Sequence, residues 1–287
     1  MDETAGHAAL LGLLQGLTEF LPVSSSGHLA VAGLVFDLSE GGLTLSVMLH
    51  AGTFLATLLV LRRRIAPALV EGLRALPRPS RFSATEGGRD ALVVLLASVP
   101  TAIIGLLARD AVERVTRSPA IVGVGFLVTV VALLSTRWLK QGEREVPSMF
   151  GALLLGLAQG IAVLPGISRS GSTIAVALWL GVRPDRAFEL SMLMSLPAVL
   201  GAVLLESRHL GAGAGALTPA LVGASVAFVV GVVALLALRR LVIRGHFALF
   251  ALWVLPMALA TLALARAWPV KEVQVERAAP SWQTRES

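Results

Sequence analysis

The chain has 287 residues, 55% of them hydrophobic and only 15% charged, with a mean hydropathy of +0.80 and a formal net charge of +6. Soluble domains carry about 25% charged residues, so this composition excludes an ordinary globular surface and points to a single helical bundle in a membrane. The absence of cysteine removes disulfides, thiolate metal sites and cysteine nucleophiles. The basic excess lies beside apolar runs, where it reads as an orientation signal and not as a nucleic-acid footprint. Asp2 and Glu3 stand where a secretory signal would be basic, so no cleaved signal peptide is expected.

In chain order, an apolar region at residues 8–35 is broken by Pro22-Val23-Ser24-Ser25-Ser26-Gly27-His28. Residues 42–61, 91–108 and 119–138 then each approach the roughly 20 apolar residues that a bilayer crossing needs. A second broken region, residues 149–182, contains Pro165-Gly166-Ile167-Ser168-Arg169-Ser170-Gly171, and is followed by candidate spans at 187–205, 218–238 and 247–268. The limbs beside each break are about 12 residues long, too short to span, so each broken region is expected to be a re-entrant helical hairpin. Residues 80–88 are expected to be a disordered loop tip rather than a domain linker, and residues 270–287 a polar tail.

The two broken regions match when displaced by 144 positions. Leu11, Gly12, Leu13, Gln15, Gly16, Ser24, Ser26 and Gly27 equal Leu155, Gly156, Leu157, Gln159, Gly160, Ser168, Ser170 and Gly171, eight identities in seventeen positions. Apolar composition does not account for shared glutamine, serine and glycine, so the chain reads as a duplication, with repeats near 8–138 and 149–268 inside one membrane domain covering 1–287. Each half is one hairpin plus three spans; an odd number of crossings inverts the second half. With the N-terminus outside, the inner loops hold fifteen basic residues (Arg62, Arg63, Arg64, Arg74, Arg78, Arg81, Arg89, Arg137, Lys140, Arg144, Arg183, Arg186, Arg239, Arg240 and Arg244) and the outer segments eight (Arg109, Arg114, Arg117, Arg208, Arg266, Lys271, Arg277 and Arg285), which satisfies the positive-inside rule. The expected fold is therefore an all-α, inverted-repeat bundle of six spanning helices and two re-entrant hairpins. Such repeats bring their broken helices together near the midplane, and helix N-termini pointing there favour an anion.

Ionisable groups inside membrane segments are functional candidates by default, which singles out Glu19, His28, His50 and Arg169. Glu19 reads either as a partner of Arg169 that holds the hairpins together or as a metal ligand or general base. Arg169, flanked by Ser168, Ser170 and Gly171, suits a phosphate, with a structural salt bridge as the plainer reading. His28 follows Ser24, Ser25 and Ser26, where a serine nucleophile or a histidine proton carrier is feasible beside the simpler role of a hydrogen-bonded cap. His50 is expected to make only a core hydrogen bond. No Walker A, dinucleotide fingerprint or Cys/His cluster is present, which disfavours nucleotide and zinc chemistry.

The segments Gln15-Gly16-Leu17-Thr18-Glu19-Phe20-Leu21-Pro22-Val23-Ser24-Ser25-Ser26-Gly27-His28 and Leu164-Pro165-Gly166-Ile167-Ser168-Arg169-Ser170-Gly171-Ser172-Thr173 resemble the two signatures of the undecaprenyl-diphosphate phosphatase family, the bacitracin-resistance type. The resemblance covers nearly the whole chain. It implies hydrolysis of undecaprenyl diphosphate to undecaprenyl phosphate and inorganic phosphate, recycling the lipid carrier of wall polymers in the bacterial plasma membrane, with the site facing the outer side. By position it implies Glu19, Ser25, His28 and Arg169 as catalytic, and Ser24, Ser26, Gly27, Ser168, Ser170 and Thr173 as substrate contacts. Glu19 is also the candidate ligand for Mg2+ or Ca2+ brought in with a diphosphate. Some relatives carry a second glutamate where this chain has Gln15, which leaves a two-carboxylate metal site incomplete. The rival reading is a lipid-phosphate or anion transporter, since broken inverted repeats also build transporters. The partners expected are a polyprenyl diphosphate and the membrane, not nucleic acid; a homodimer is allowed by the sequence but not specified.

Overall fold

The computed structural model describes residues 3–36, 42–116, 118–207 and 217–267. They form helices α1 (Glu3–Thr18), α2 (Ser25–Phe36), α3 (Gly42–Ala75), α4 (Glu86–Leu107), α5 (Arg109–Thr116), α6 (Pro119–Ser135), α7 (Met149–Ile161), α8 (Arg169–Trp179), α9 (Pro184–Ser207), α10 (Leu217–Ile243) and α11 (Ala251–Ala267), with no strand among the described residues. Among the described residues, six stretches are long and apolar enough to cross a membrane: Thr44–Ala75, Glu86–Leu107, Pro119–Trp138, Pro184–Leu205, Leu217–Ile243 and Phe247–Ala267. Each contains or closely overlaps a span expected from sequence. Their outward faces carry Leu106, Leu107, Val131 and Leu252 at 65–81% exposure, an arrangement that is stable against lipid and not against water. The protein is a multi-pass membrane protein.

Three local expectations are revised. Residues 62–75, read as an inner loop, continue α3 for about a further four turns. Arginine, alanine and leucine there are good helix formers, so charge ends the apolar span but not the helix. Residues 80–88, expected to be a disordered loop tip, belong to a 3-10 turn at Pro79–Ser83 and the start of α4; Phe82 is buried and the Thr85 hydroxyl accepts from Gly88 N, capping α4. Arg186, counted as an orientation marker, is not on a loop but buried within α9. Arg117, Arg208, Lys271, Arg277 and Arg285, and the expected tail at 270–287, lie outside the described residues.

Small residues set the closest helix contacts. α1 packs on α10 and α7 packs on α4. A Cβ at Gly12 would stand 2.3 Å from the Gly223 carbonyl oxygen, and one at Gly156 would stand 2.1 Å from that of Ala97, so neither contact survives a larger residue. The repeated Leu-Gly-Leu-x-Gln-Gly thus builds the same kind of close crossing twice. α3 also meets α9, α6 meets α11, and Phe20, Phe126, Ile174, Phe188 and Met192 fill the core between them.

Away from the loops lies a buried ionic cluster. Arg186, 2% exposed, bonds Asp90 of α4 through Nη2, Glu189 through Nη1 at 2.5 Å, and the side chain and carbonyl of Glu145 through Nε, each at 3.2 Å. Arg64 of α3 joins it through Glu189 at 3.0 Å and Glu86 at 2.8 Å. This cluster clamps α3, α4 and α9 together, and a cavity of about 680 Å³ opens beside it.

Candidate active site

Both broken regions close with the same short construction. In the first, Ser24 is the residue before α2, and its hydroxyl accepts from Gly27 N at 3.3 Å and lies 3.3 Å from the Ser26 hydroxyl. In the second, the Ser168 hydroxyl accepts from Gly171 N at 3.1 Å and lies 3.3 Å from that of Ser170. The Ser-x-Ser-Gly spacing is therefore an N-cap used twice: the serine satisfies one first-turn N–H, and the chain stays free to turn into the helix. First-turn N–H groups of α2 and α8 have no intrahelical partner, leaving positive ends at both loops.

The loops differ in how they are strained and anchored. Ser24 takes a left-handed φ of 69°, unusual for a residue with a side chain. In the second loop that role falls to Gly166, with φ 87°, where a Cβ would sit 2.2 Å from the Val122 carbonyl oxygen. Thr129 of α6, fully buried, donates to the Gly166 carbonyl at 2.8 Å and accepts from Ser168 N at 2.9 Å. One hydroxyl thus pins both sides of the turn preceding Arg169.

Glu19 joins the loops. Its Oε1 accepts from Arg169 Nη2 at 2.6 Å, and its Oε2 accepts from the Ser25 hydroxyl at 2.9 Å and from Gln15 Nε2 at 3.1 Å. Ser25 and Arg169 are the first residues of α2 and α8, so both positive helix ends converge on this carboxylate. Glu19 and Arg169 have side-chain exposures of only 9% and 16%. The second guanidinium nitrogen, Arg169 Nη1, is buried without a hydrogen-bond partner. Thr173 holds the turn below by donating to the Arg169 carbonyl at 2.8 Å, and its hydroxyl lies 2.6 Å from that of Ser191 on α9. A narrow cavity lies against Glu19 and Arg169, walled by Thr53, Thr57 and Ser195 from α3 and α9.

The structure brings Glu19, Ser25 and Arg169 together and sets His28 apart from them. His28 Nδ1 lies 2.9 Å from the Ser24 carbonyl, while its Nε2 accepts from the indole Nε1 of Trp253 on α11 at 3.0 Å. Glu19 makes no hydrogen bond to His28 among the described residues; its hydroxyl partner is Ser25. His50 makes the expected core contact, 3.0 Å from the Ser46 carbonyl one turn back on its own helix. The larger cavity, lined by Arg63, Arg64, Glu71, Glu86, Asp90, Glu189 and Arg239, includes none of Glu19, Ser25 and Arg169.

Sequence reading missed Gln15 as a support for Glu19, Thr129 as the anchor of the second loop, Ser191, and Trp253. Gln15 could have been found, since its repeat mate Gln159 is also buried and hydrogen-bonded across helices, to Thr101 and the Met194 carbonyl. No local signal marks the others: each is an ordinary residue in an apolar span, important only through what the fold places beside it.

The chain is similar to known proteins over most of its length. Residues 8–260 match the family described as bacitracin resistance protein BacA. A protein of Korarchaeum cryptofilum named undecaprenyl-diphosphatase is 39% identical over 261 residues, covering 90% of this chain and 98% of its own. Proteins of the same name from Desulforapulum autotrophicum and Desulfosudis oleivorans are 41% and 43% identical, each covering 85% of this chain and 92% and 93% of their own lengths.

Proposed function

The chain belongs to the bacitracin resistance protein BacA family, and on that premise we propose that it is a membrane phosphatase that hydrolyses undecaprenyl diphosphate to undecaprenyl phosphate and inorganic phosphate, recycling a lipid carrier for wall synthesis. The observation that carries this reading is Arg169, the first residue of α8: its guanidinium puts Nη2 on Glu19 and leaves Nη1 buried without a hydrogen-bond partner. A buried donor left unsatisfied costs about 1–3 kcal/mol, more for a charged group, and a phosphate oxygen at Nη1 removes that cost.

The Ser25 hydroxyl already donates to Glu19 Oε2. In the reaction Glu19 takes that proton as Ser25 Oγ bonds to the terminal phosphorus and the bond from phosphorus to the bridging oxygen breaks. Undecaprenyl phosphate leaves, and water then releases inorganic phosphate from the serine. In the competing route water attacks directly and gives its proton to Glu19. In both, Arg169 and the first-turn N–H groups of α2 and α8 stabilise charge on the transferring phosphoryl group. Phosphoserine trapped in wild type and absent from Ser25→Ala selects the first route; full activity in Ser25→Ala removes it.

The protein's own donors do not fit a resident divalent ion. Both Glu19 oxygens receive hydrogen bonds, and Gln15 turns its amide N–H to the carboxylate. No group of three or more His, Cys, Asp or Glu stands together among the described residues. The Mg2+ or Ca2+ expected from the resemblance belongs, in this reading, to the diphosphate as its counter-ion.

The prenyl chain lies along the apolar outer faces of the helices, and the site faces the outer side, a reading supported by the excess of arginine in the segments assigned inside. The cysteine-free chain makes this testable: an impermeant maleimide should spare a cysteine placed at Ser80 in intact cells and label one placed at Arg114. The transporter alternative is not carried forward, because these relatives are named for a hydrolase. The direct test is phosphate release from undecaprenyl diphosphate by purified protein in detergent, with and without Mg2+ or Ca2+. Activity in wild type and its loss in Glu19→Gln and Arg169→Ala are expected; no release from folded wild type would end this reading.

A further inference from the structure

His28 is the one candidate catalytic residue that the site leaves aside. Both of its ring nitrogens are in use. Trp253 Nε1–H can only donate, so Nε2 must present its lone pair and the ring proton must sit on Nδ1. Nδ1–H then donates to the Ser24 carbonyl, which also receives the His28 backbone N–H at 3.1 Å. The imidazole lies nearly coplanar with the indole, 9° between planes, and edge-on to Phe126 with centroids 5.3 Å apart. It is 8% exposed and has no hydrogen bond to Glu19 or Ser25 among the described residues. Trp253, by contrast, is 58% exposed on a face it shares with the exposed Leu249, so its ring adds little to the core, and its definite tie inward is this N–H.

We propose that Trp253 and His28 form a positioning pair: the indole N–H holds the imidazole by Nε2, and the Nδ1–H on the other side of the ring grips the Ser24 carbonyl and so holds the strained turn that presents Ser25 to Glu19. Proton transfer belongs to Glu19, and His28 acts through the backbone. The assignment deepens the phosphatase reading and rests on it for its kinetic consequence. It also gives the first loop what Thr129 gives the second, an anchor on a spanning helix. The anchor comes from α11 here and from α6 there.

Two variants and one spectrum decide it. Trp253→Phe keeps an aromatic ring on this exposed face and removes the N–H together with the rest of the five-membered ring, so the bundle should fold. In ring-15N-labelled full-length protein, the His28 signals, identified by their loss in His28→Asn, should show Nδ1 protonated and Nε2 hydrogen-bonded in wild type, and an Nε2 signal displaced by loss of that bond in Trp253→Phe. The loss of one hydrogen bond should lower kcat about fivefold with KM near the wild-type value. His28→Asn keeps a side-chain N–H where Nδ1 stood but cannot carry a catalytic proton, so it should keep activity within about tenfold of wild type while His28→Ala falls well below it. An unchanged His28 spectrum in Trp253→Phe, an unchanged kcat, or His28→Asn as inactive as His28→Ala would each overturn the proposal. Failure of the phosphatase reading looks different: no phosphate release from wild type, with the ring-15N measurement still deciding whether Trp253 holds the imidazole.

Discussion

Arg186 and Arg169 are both buried guanidiniums bonded to carboxylates from a distant part of the chain, yet their surroundings differ. Arg186 meets Asp90, Glu145 and Glu189 through all three of its nitrogens and closes a clamp between α3, α4 and α9. Arg169 meets Glu19 with one nitrogen and leaves Nη1 without a partner. Burying a charge is costly, and a protein recovers that cost only by completing its hydrogen bonds. Arg186 is completed by the protein itself, so its role is cohesion. Arg169 is left incomplete, and in the proposed reaction a phosphate oxygen of the substrate completes it.

This contrast fixes the expected consequences of substitution. Arg169→Ala should lower phosphate release by roughly three to five orders of magnitude, the range for losing a cation that stabilises a transferring phosphoryl group, with a smaller loss of stability than Asp90→Ala because Glu19 keeps its bonds from Gln15 and Ser25. Asp90→Ala should do the reverse, destabilising the bundle by about 3–5 kcal/mol in unfolding experiments because it leaves the buried Nη2 of Arg186 without its acceptor, while activity per folded molecule persists. The double variant Asp90→Ala/Arg186→Met should regain most of that stability. Equal loss of stability in Arg169→Ala and Asp90→Ala would erase the distinction.

Smaller effects sharpen the comparison of the loops. Thr129→Val removes the hydroxyl that pins the Gly166–Ser168 turn and should cost about 1–3 kcal/mol, with a rise in KM as Arg169 loses its support. Ser168→Ala removes an N-cap and should cost about 1 kcal/mol by thermal unfolding.

Much of this was legible beforehand, for identifiable reasons. The six long helices follow from apolar runs of bilayer length, a property local to each segment. The pairing of the two loops follows from Ser24-x-Ser26-Gly27 and Ser168-x-Ser170-Gly171, because an N-cap is written within four residues. Glu19 and Arg169 stand out because charge in an apolar stretch is expensive wherever the chain goes. Helix ends were less legible: α3 runs on through Arg62, Arg63 and Arg64 because helix propensity continues after hydropathy stops.

What the sequence determined by itself is the class of protein, the spans, the capped turns and the few charged residues worth their desolvation, since each rests on local chemistry. Only the tertiary structure decided which groups meet. It set Ser25 rather than His28 on Glu19, turned Gln15 into a donor to that carboxylate, enclosed Arg186 with Asp90, and brought Trp253 to His28 across 225 residues of chain. Hydrogen bonds and ion pairs act over about 3 Å, and contacts that short between distant segments are made by helix packing, which no local pattern encodes.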